Sequence, residues 1–122
     1  MRYSNIFNKG GATYLEVTGC SQPCGKCNNV VDMFPTQGKV FDRKAANQFI
    51  KSLKETHNLI IFGGDPLYIK NRHCLYNILI KLVNKMPDLK VTIYTPLNKN
   101  EVYNFFNNVN NLKVVKCYDK IP

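Results

Sequence analysis

The sequence predicts an α/β fold, a single domain over residues 1–122 in which about four parallel strands alternate with flanking helices. Two observations support this prediction. Short apolar runs rich in β-branched side chains end at Gly, Thr or Pro, as strands buried in a parallel sheet do. Between them lie longer segments whose apolar side chains recur every three or four residues, as on the buried face of a helix. Such alternation indicates right-handed βαβ units around one sheet.

The first half of the chain contains two predicted strands and one helix. The first strand is predicted over residues 13–18 and is followed by a loop and irregular crossover over residues 20–40. Asp42 is predicted to cap a helix over residues 43–56, because aspartate accepts hydrogen bonds from the free amides of a first turn. The second strand covers residues 59–62, a continuous apolar run.

The second half repeats the helix–strand alternation twice. Asparagine precedes each of its helices and is predicted to be the N-cap in both. The elements predicted there are a helix over 72–85 capped by Asn71, a strand over 91–94, a helix over 99–108 capped by Asn98, and a strand over 112–115.

Length, charge and cysteine number limit the possible classes of protein. A chain of 122 residues forms one domain and is too short for a complete (βα)8 barrel, which needs roughly 250 residues. No apolar run approaches the ~20 residues of a membrane span, and the N-terminus lacks a secretory pattern, so we expect a cytoplasmic protein without membrane association. The net charge of +9 favours an anionic partner or ligand. Five cysteines, an odd number, cannot all form internal disulfides.

Three of these cysteines indicate a metal site. Cys20, Cys24 and Cys27 are spaced Cys-x3-Cys-x2-Cys directly after the first predicted strand. Thiolates are soft ligands that suit iron–sulfur clusters, zinc and copper(I). A zinc site would need a fourth ligand from elsewhere, for which the candidates are Cys74, Cys117, His57 and His73. Because zinc sites usually contain a second cysteine pair and none is present, the spacing favours a cluster over zinc. Either a distant residue supplies the fourth ligand, or one metal keeps an open position.

The ends of three predicted strands bring further residues towards these cysteines. Cys20 follows the first strand, Gly63 and Gly64 end the second, and Thr95 ends the third. Binding sites of parallel sheets lie beyond the carboxyl ends of the strands. We therefore expect the cysteine loop, the Gly-Gly turn and Thr95 to meet at one edge of the sheet.

The motifs at this edge resemble those of the radical S-adenosylmethionine (SAM) superfamily. The cysteine spacing matches its cluster motif, and Phe62-Gly63-Gly64-Asp65-Pro66-Leu67 is similar to a Gly-Gly-Asp-Pro-Leu segment found in one branch of it. That branch comprises the activating enzymes of anaerobic (class III) ribonucleotide reductases. Asn8-Lys9-Gly10-Gly11 and Leu15–Cys20 also resemble its first turn and strand, whereas Lys26 stands where the branch tends to have glycine.

The resemblance implies a partial (βα) barrel and a specific chemistry. Cys20, Cys24 and Cys27 would hold three irons of a [4Fe–4S] cluster, and the fourth iron would bind SAM. An electron, from a flavodoxin-type donor, would cleave SAM to a 5′-deoxyadenosyl radical that removes hydrogen from a glycine of the reductase large subunit. The residues expected to contact SAM or to lie beside the cluster are Gly63, Gly64, Asp65, Pro66, Thr95 and Asn28.

Other functions remain compatible with the sequence. A radical SAM enzyme of this size could act on a small molecule, a peptide or tRNA, since lysine and arginine bind phosphates, although no RNA-binding appendage is evident. A non-catalytic metal-binding or partner-binding module is the alternative from another class. A third possibility is that the chain completes its sheet with a partner through an exposed strand edge.

Overall fold

The computed structural model of the chain describes residues 1–19, 38–109 and 111–116. These residues form a sheet of six strands with the order β3-β1-β2-β4-β5-β6 and three helices. The elements are β1 (Arg2–Lys9), β2 (Ala12–Val17), β3 (Lys39–Val40), α1 (Arg43–Thr56), β4 (Asn58–Gly63), α2 (Ile69–Lys85), β5 (Lys90–Thr95), α3 (Lys99–Phe105) and β6 (Leu112–Lys116).

The four strands predicted from the sequence are present and parallel. β2 pairs with β4, β4 with β5, and β5 with β6, so each helical connection moves one place along the sheet in the same direction. Val17 lies opposite Gly63 in this register, which aligns the carboxyl ends of β2 and β4. The curvature of a partial barrel stays a prediction.

Two antiparallel strands that the sequence analysis did not predict extend the sheet beyond β2. β1 forms a hairpin with β2, in which Lys9 pairs with Ala12, and β3 pairs with the outer side of β1. The two hairpin turn residues, Gly10 and Gly11, have φ values of 58° and 80°. Tight two-residue hairpins of this kind need positive φ at both positions, which glycine adopts without steric cost.

The helices pack against one face of the sheet. The main core joins buried side chains of all three helices to one face of the strands, for example Phe49, Leu79 and Val102 with Leu15 and Ile61. The opposite face carries a second cluster contributed by strands alone, whose buried members are Ala12, Tyr14, Ile60, Phe62 and Tyr94. Among the described elements, no helix contributes to this second cluster, which we call the aromatic face.

The helix starts agree with the predictions in two cases and differ in one. Asp42 caps α1 by accepting from the Ala45 amide at 2.9 Å, and Asn98 caps α3 through the Asn100 amide at 2.8 Å. The prediction that Asn71 caps the second helix is wrong, because α2 begins earlier, at Ile69, with Tyr68 as its N-cap. α3 is also shorter than predicted, since it ends at Phe105. Within the described ranges, no helix is long and apolar enough to cross a membrane.

Candidate cofactor site at the carboxyl edge of the sheet

The turn after β4 is hydrogen-bonded to the segment that leads into the cysteine loop. The Gly64 amide donates to the Val17 carbonyl oxygen at 2.8 Å, and the Asp65 amide donates to the Gly19 carbonyl oxygen at 2.7 Å. Gly19 directly precedes Cys20 in the sequence. The Gly-Gly turn therefore contacts the residues that lead into Cys20, and its meeting with the cysteine loop itself stays a prediction.

Gly63 permits this close approach of the two strand ends. Its φ is 113°, a conformation that residues with a Cβ rarely adopt. A Cβ at this position would also collide with the carbonyl oxygen of Val17. Glycine is therefore required here for the contact between β4 and β2, apart from any contact with a ligand.

Asp65 is a buried carboxylate with one incompletely bonded oxygen. Its side chain is 1% exposed, and its Oδ1 accepts from the Leu67 amide at 2.9 Å and from the Thr95 hydroxyl at 2.7 Å. Its Oδ2 is buried and has no hydrogen-bond partner within the described part of the chain. A buried polar atom of this kind normally has a partner, so Oδ2 is an acceptor available to a ligand.

Burial dominates the electrostatics of Asp65. Desolvation raises the pKa of this carboxyl, because the charged form is disfavoured away from water. The hydrogen bonds from Thr95 and Leu67, and the positive charge of Arg72, act in the opposite direction and offset part of that increase. A cation or a charged donor at Oδ2 would stabilise the carboxylate further.

Thr95 reaches the site at the end of β5, as predicted, and its described contacts are with protein. It is fully buried, and besides donating to Asp65 it accepts from the Leu97 amide at 3.3 Å. These bonds fix the orientation of the Asp65 carboxylate. Pro66 follows in the same turn and is also buried. Contact of either residue with SAM stays a prediction.

Asn71 is a residue of the site that the sequence analysis assigned to another role. Its side chain is 2% exposed, and its Nδ2 donates to the Thr18 carbonyl oxygen at 2.8 Å and to the Asp65 carbonyl oxygen at 3.2 Å. The sequence contained a usable signal, since Asn71 lies four residues before Leu75 and eight before Leu79, on the buried stripe of α2. A polar residue on that stripe indicates a buried hydrogen bond.

The predicted cluster ligands lie outside the described residues. Cys20, Cys24, Cys27 and Asn28 fall within 20–37, and Cys117 follows residue 116. In the ranges that the structure describes, no group of three or more His, Cys, Asp or Glu side chains is arranged to hold a metal ion.

Two of the alternative zinc ligands have other surroundings. His57 directly precedes β4, so it lies at the amino edge of the sheet, about 20 Å from the carboxyl edge by the rise of a six-residue strand. There its Nδ1 is 2.9 Å from Asp88. His73 packs against the ring of Phe105. The placement of His57 argues against it as a fourth ligand beside Cys20.

Comparisons with known proteins point to one family. The family described as "4Fe-4S single cluster domain" matches residues 8–121. The chain is 30% identical over 94 residues to the anaerobic ribonucleoside-triphosphate reductase-activating protein of Pasteurella multocida (strain Pm70), covering 74% of this chain and 60% of that protein. It is 29% identical over 101 residues to the protein of the same name from Haemophilus influenzae, covering 80% and 65%.

A phage protein with that name aligns over nearly all of this chain. The protein from Enterobacteria phage T4 is 25% identical over 129 aligned positions, which cover 99% of this chain and 78% of the relative. By contrast, the chain spans less than two thirds of the length of each of the two bacterial relatives. No solved structure matches it significantly. The resemblance to the activating enzymes of anaerobic ribonucleotide reductases is confirmed, and the chain belongs to the 4Fe-4S single cluster domain family.

Proposed function

We propose that this chain is a cytoplasmic radical SAM activating enzyme that installs a glycyl radical on an anaerobic ribonucleotide reductase. The observation that carries the proposal is the Asp65 carboxylate. It is buried, it is bonded through its amide to the residue before Cys20, and its Oδ2 has no partner in the described chain. The three relatives named as activating proteins support the same function.

The chemistry of the donor set fits a [4Fe–4S] cluster with SAM. Cys20, Cys24 and Cys27 would hold three irons, which leaves one iron for the amino and carboxylate groups of SAM. Oδ2 of Asp65 would accept a hydrogen bond from an N–H of the SAM amino group, a donor that binding to iron would polarise. When bound, the pair supplies a one-electron cleavage of the sulfonium that yields a 5′-deoxyadenosyl radical for removal of hydrogen from glycine.

The described residues orient and enclose this site. Thr95 and the Leu67 amide both hold Oδ1 of Asp65, so that only Oδ2 is left for a ligand. Burial of Asp65 and Thr95 keeps water away from the carboxylate, which strengthens its interaction with a cation. A flavodoxin-type protein is the proposed electron donor, and the positive charge of the chain suits an acidic partner.

Anaerobic reconstitution with iron and sulfide tests the proposal. We expect the reduced protein to show an EPR signal of a [4Fe–4S] cluster that changes when SAM is added, and to produce 5′-deoxyadenosine. Mixing with the anaerobic reductase should then produce a glycyl radical signal on the reductase. The variant Cys24→Ala is the control and should lose the cluster, since three thiolates are needed.

Two outcomes would contradict the proposal at different levels. Tightly bound zinc without iron would favour the metal-binding module. A cluster that cleaves SAM but leaves the reductase without a radical would retain the radical SAM chemistry and exclude this substrate. Peptides, tRNA and small molecules would then be the substrates to test.

A further inference from the structure

The three residues that precede Cys20 are all bonded to one segment of the chain, residues 64–71. The carbonyl oxygens of Val17 and Gly19 accept from the amides of Gly64 and Asp65. The carbonyl oxygen of Thr18, between them, accepts from the Asn71 side chain at 2.8 Å. Three successive carbonyl groups are therefore held from the turn after β4 and the start of α2.

The hydrogen bond to Thr18 comes from a side chain, whereas the other two come from backbone amides. The Thr18 amide donates to the Arg2 carbonyl oxygen of β1 at 3.1 Å, so this residue is held on one side by the antiparallel strand. Its carbonyl group is reached by a side chain of α2, across 53 positions of sequence. Asn71 is thus the described link between the helix layer and the entry to the cysteine loop.

The same amide group also holds the Asp65 turn. Nδ2 of Asn71 lies 3.2 Å from the Asp65 carbonyl oxygen, which also accepts from the Tyr68 amide. One buried NH2 group therefore bridges the backbone beside the predicted cluster ligand and the backbone of the residue proposed to contact SAM.

A local role in the helix does not account for this side chain. The N-cap of α2 is Tyr68, and the backbone amide of Asn71 already donates to the Tyr68 carbonyl oxygen at 2.7 Å. Asparagine is also a poor helix former in comparison with leucine, which occupies the buried stripe at Leu75 and Leu79. The side chain of Asn71 bonds instead to two carbonyl groups outside the helix, those of Thr18 and Asp65.

We propose that Asn71 is a positioning residue that fixes the entry to the cluster loop relative to the Asp65 turn, and so the position of the Asp65 carboxylate relative to the cluster. Only the part of this inference that concerns the cluster and SAM rests on the proposed function. The register of the two backbone segments is a property of the chain itself and can be measured without cofactor.

Asn71→Leu tests the proposal, with Thr13→Val as the matched control. Leucine is similar in size and removes both hydrogen bonds. Thr13 lies at the other end of β2, is fully buried, and bonds through its hydroxyl to Asn8 at 2.9 Å and Thr56 at 2.8 Å. Both variants therefore remove two hydrogen bonds of a buried side chain, but only Asn71→Leu changes the carboxyl edge of the sheet. Asn71→Ser, which shortens the side chain, serves as the second variant if leucine prevents folding.

The first measurement is amide hydrogen exchange in the protein without cofactor. We expect Asn71→Leu to accelerate exchange at Gly64 and Asp65 about tenfold more than Thr13→Val does, since one buried hydrogen bond corresponds to about that factor. Equal acceleration in the two variants would overturn the proposal, because Asn71 would then contribute only to general stability.

The second measurement is a SAM titration of the reduced cluster, followed by EPR. Asn71→Leu should retain its iron content and bind SAM about tenfold more weakly, by the same estimate, while Thr13→Val stays close to wild type. Unchanged SAM binding in Asn71→Leu would overturn the positioning role. A wild-type cluster that does not respond to SAM would instead refute the proposed function, and hydrogen exchange would decide the role of Asn71 in the backbone register.

Discussion

Asp65 combines three properties that make its protonation important for stability. It is buried, its carboxyl has a raised pKa, and one of its oxygens has no partner in the described chain. Transferring a carboxylate from water into the protein costs free energy unless bonds or charges replace its hydration. The free energy of unfolding of the protein without cofactor should therefore depend on the protonation of this group.

Asp65→Asn should change the pH dependence of stability. A pKa that is raised on folding means that the native state binds the proton more tightly than the unfolded state does. The stabilisation from this group is complete below the ordinary aspartate pKa of about 3.9 and is lost as pH rises through the higher native value. The wild-type protein should lose stability over that interval relative to Asp65→Asn, as measured by urea denaturation at a series of pH values.

One result would contradict this prediction of pH-dependent stability. If the difference in unfolding free energy between wild type and Asp65→Asn is constant from acid to neutral pH, the carboxyl is not shifted. The same variant loaded with cluster should bind SAM more weakly, because a neutral amide replaces the charged acceptor. The two measurements separate the cost of the buried charge from its use in binding.

At the scale of single residues, the sequence predicted the positions of the site better than the bonds within it. Gly63, Asp65 and Thr95 could be placed together because parallel strands align their carboxyl ends. Asn71 could not, since an asparagine near a helix start has two uses, as a cap and as a buried donor. Local sequence does not distinguish them when the helix start is uncertain by one turn.

At the scale of elements, the start of α1 is stabilised by one N-cap side chain, that of Asp42. Asp42→Ala removes the bond to the Ala45 amide and should destabilise the protein by about 1 kcal/mol, a typical value for an N-cap. Thermal or urea unfolding would measure the loss. Asn47→Ala is the control, because Asn47 is exposed within the same helix and alanine is the better helix former there. A similar loss in both variants would show that the cap contributes nothing specific.

The elements that escaped prediction are those with weak local patterns. β1 reads Arg-Tyr-Ser-Asn-Ile-Phe-Asn-Lys, and Tyr3 is its one buried residue, so strict alternation of apolar and polar residues is absent. It is held as a strand by pairing with β2 through the Gly10-Gly11 turn. β3 has two residues, too few for a pattern. The helices and parallel strands were predictable because a core on one or both faces imposes a clear periodicity.

At the scale of the whole molecule, the direction of winding determines which face of the sheet the helices cover. Each described connection between parallel strands adds the next strand on the same side, which places the three helices on one face. The aromatic face on the other side contains Tyr14, Phe62 and Tyr94 and is formed by strands alone in the described residues. A sheet wound in this way is compatible with the predicted partial barrel, whose interior would be the aromatic face.

The long sequence separations within the site determine when it forms during folding. The β1–β2 hairpin is local and closes within roughly 1–10 μs. The bonds from Asn71 to Thr18 and from Thr95 to Asp65 span 53 and 30 positions, so they require the docking of α2 and β5. We therefore expect the residues before Cys20 to reach their final geometry late in folding, so that iron added to the unfolded chain would meet thiols that no folded structure holds in place. Iron and sulfide added after refolding should give more cluster absorbance per mole of protein than the same reagents present from the start, and equal yields would contradict this order. Cluster assembly would then be a maturation step that follows folding.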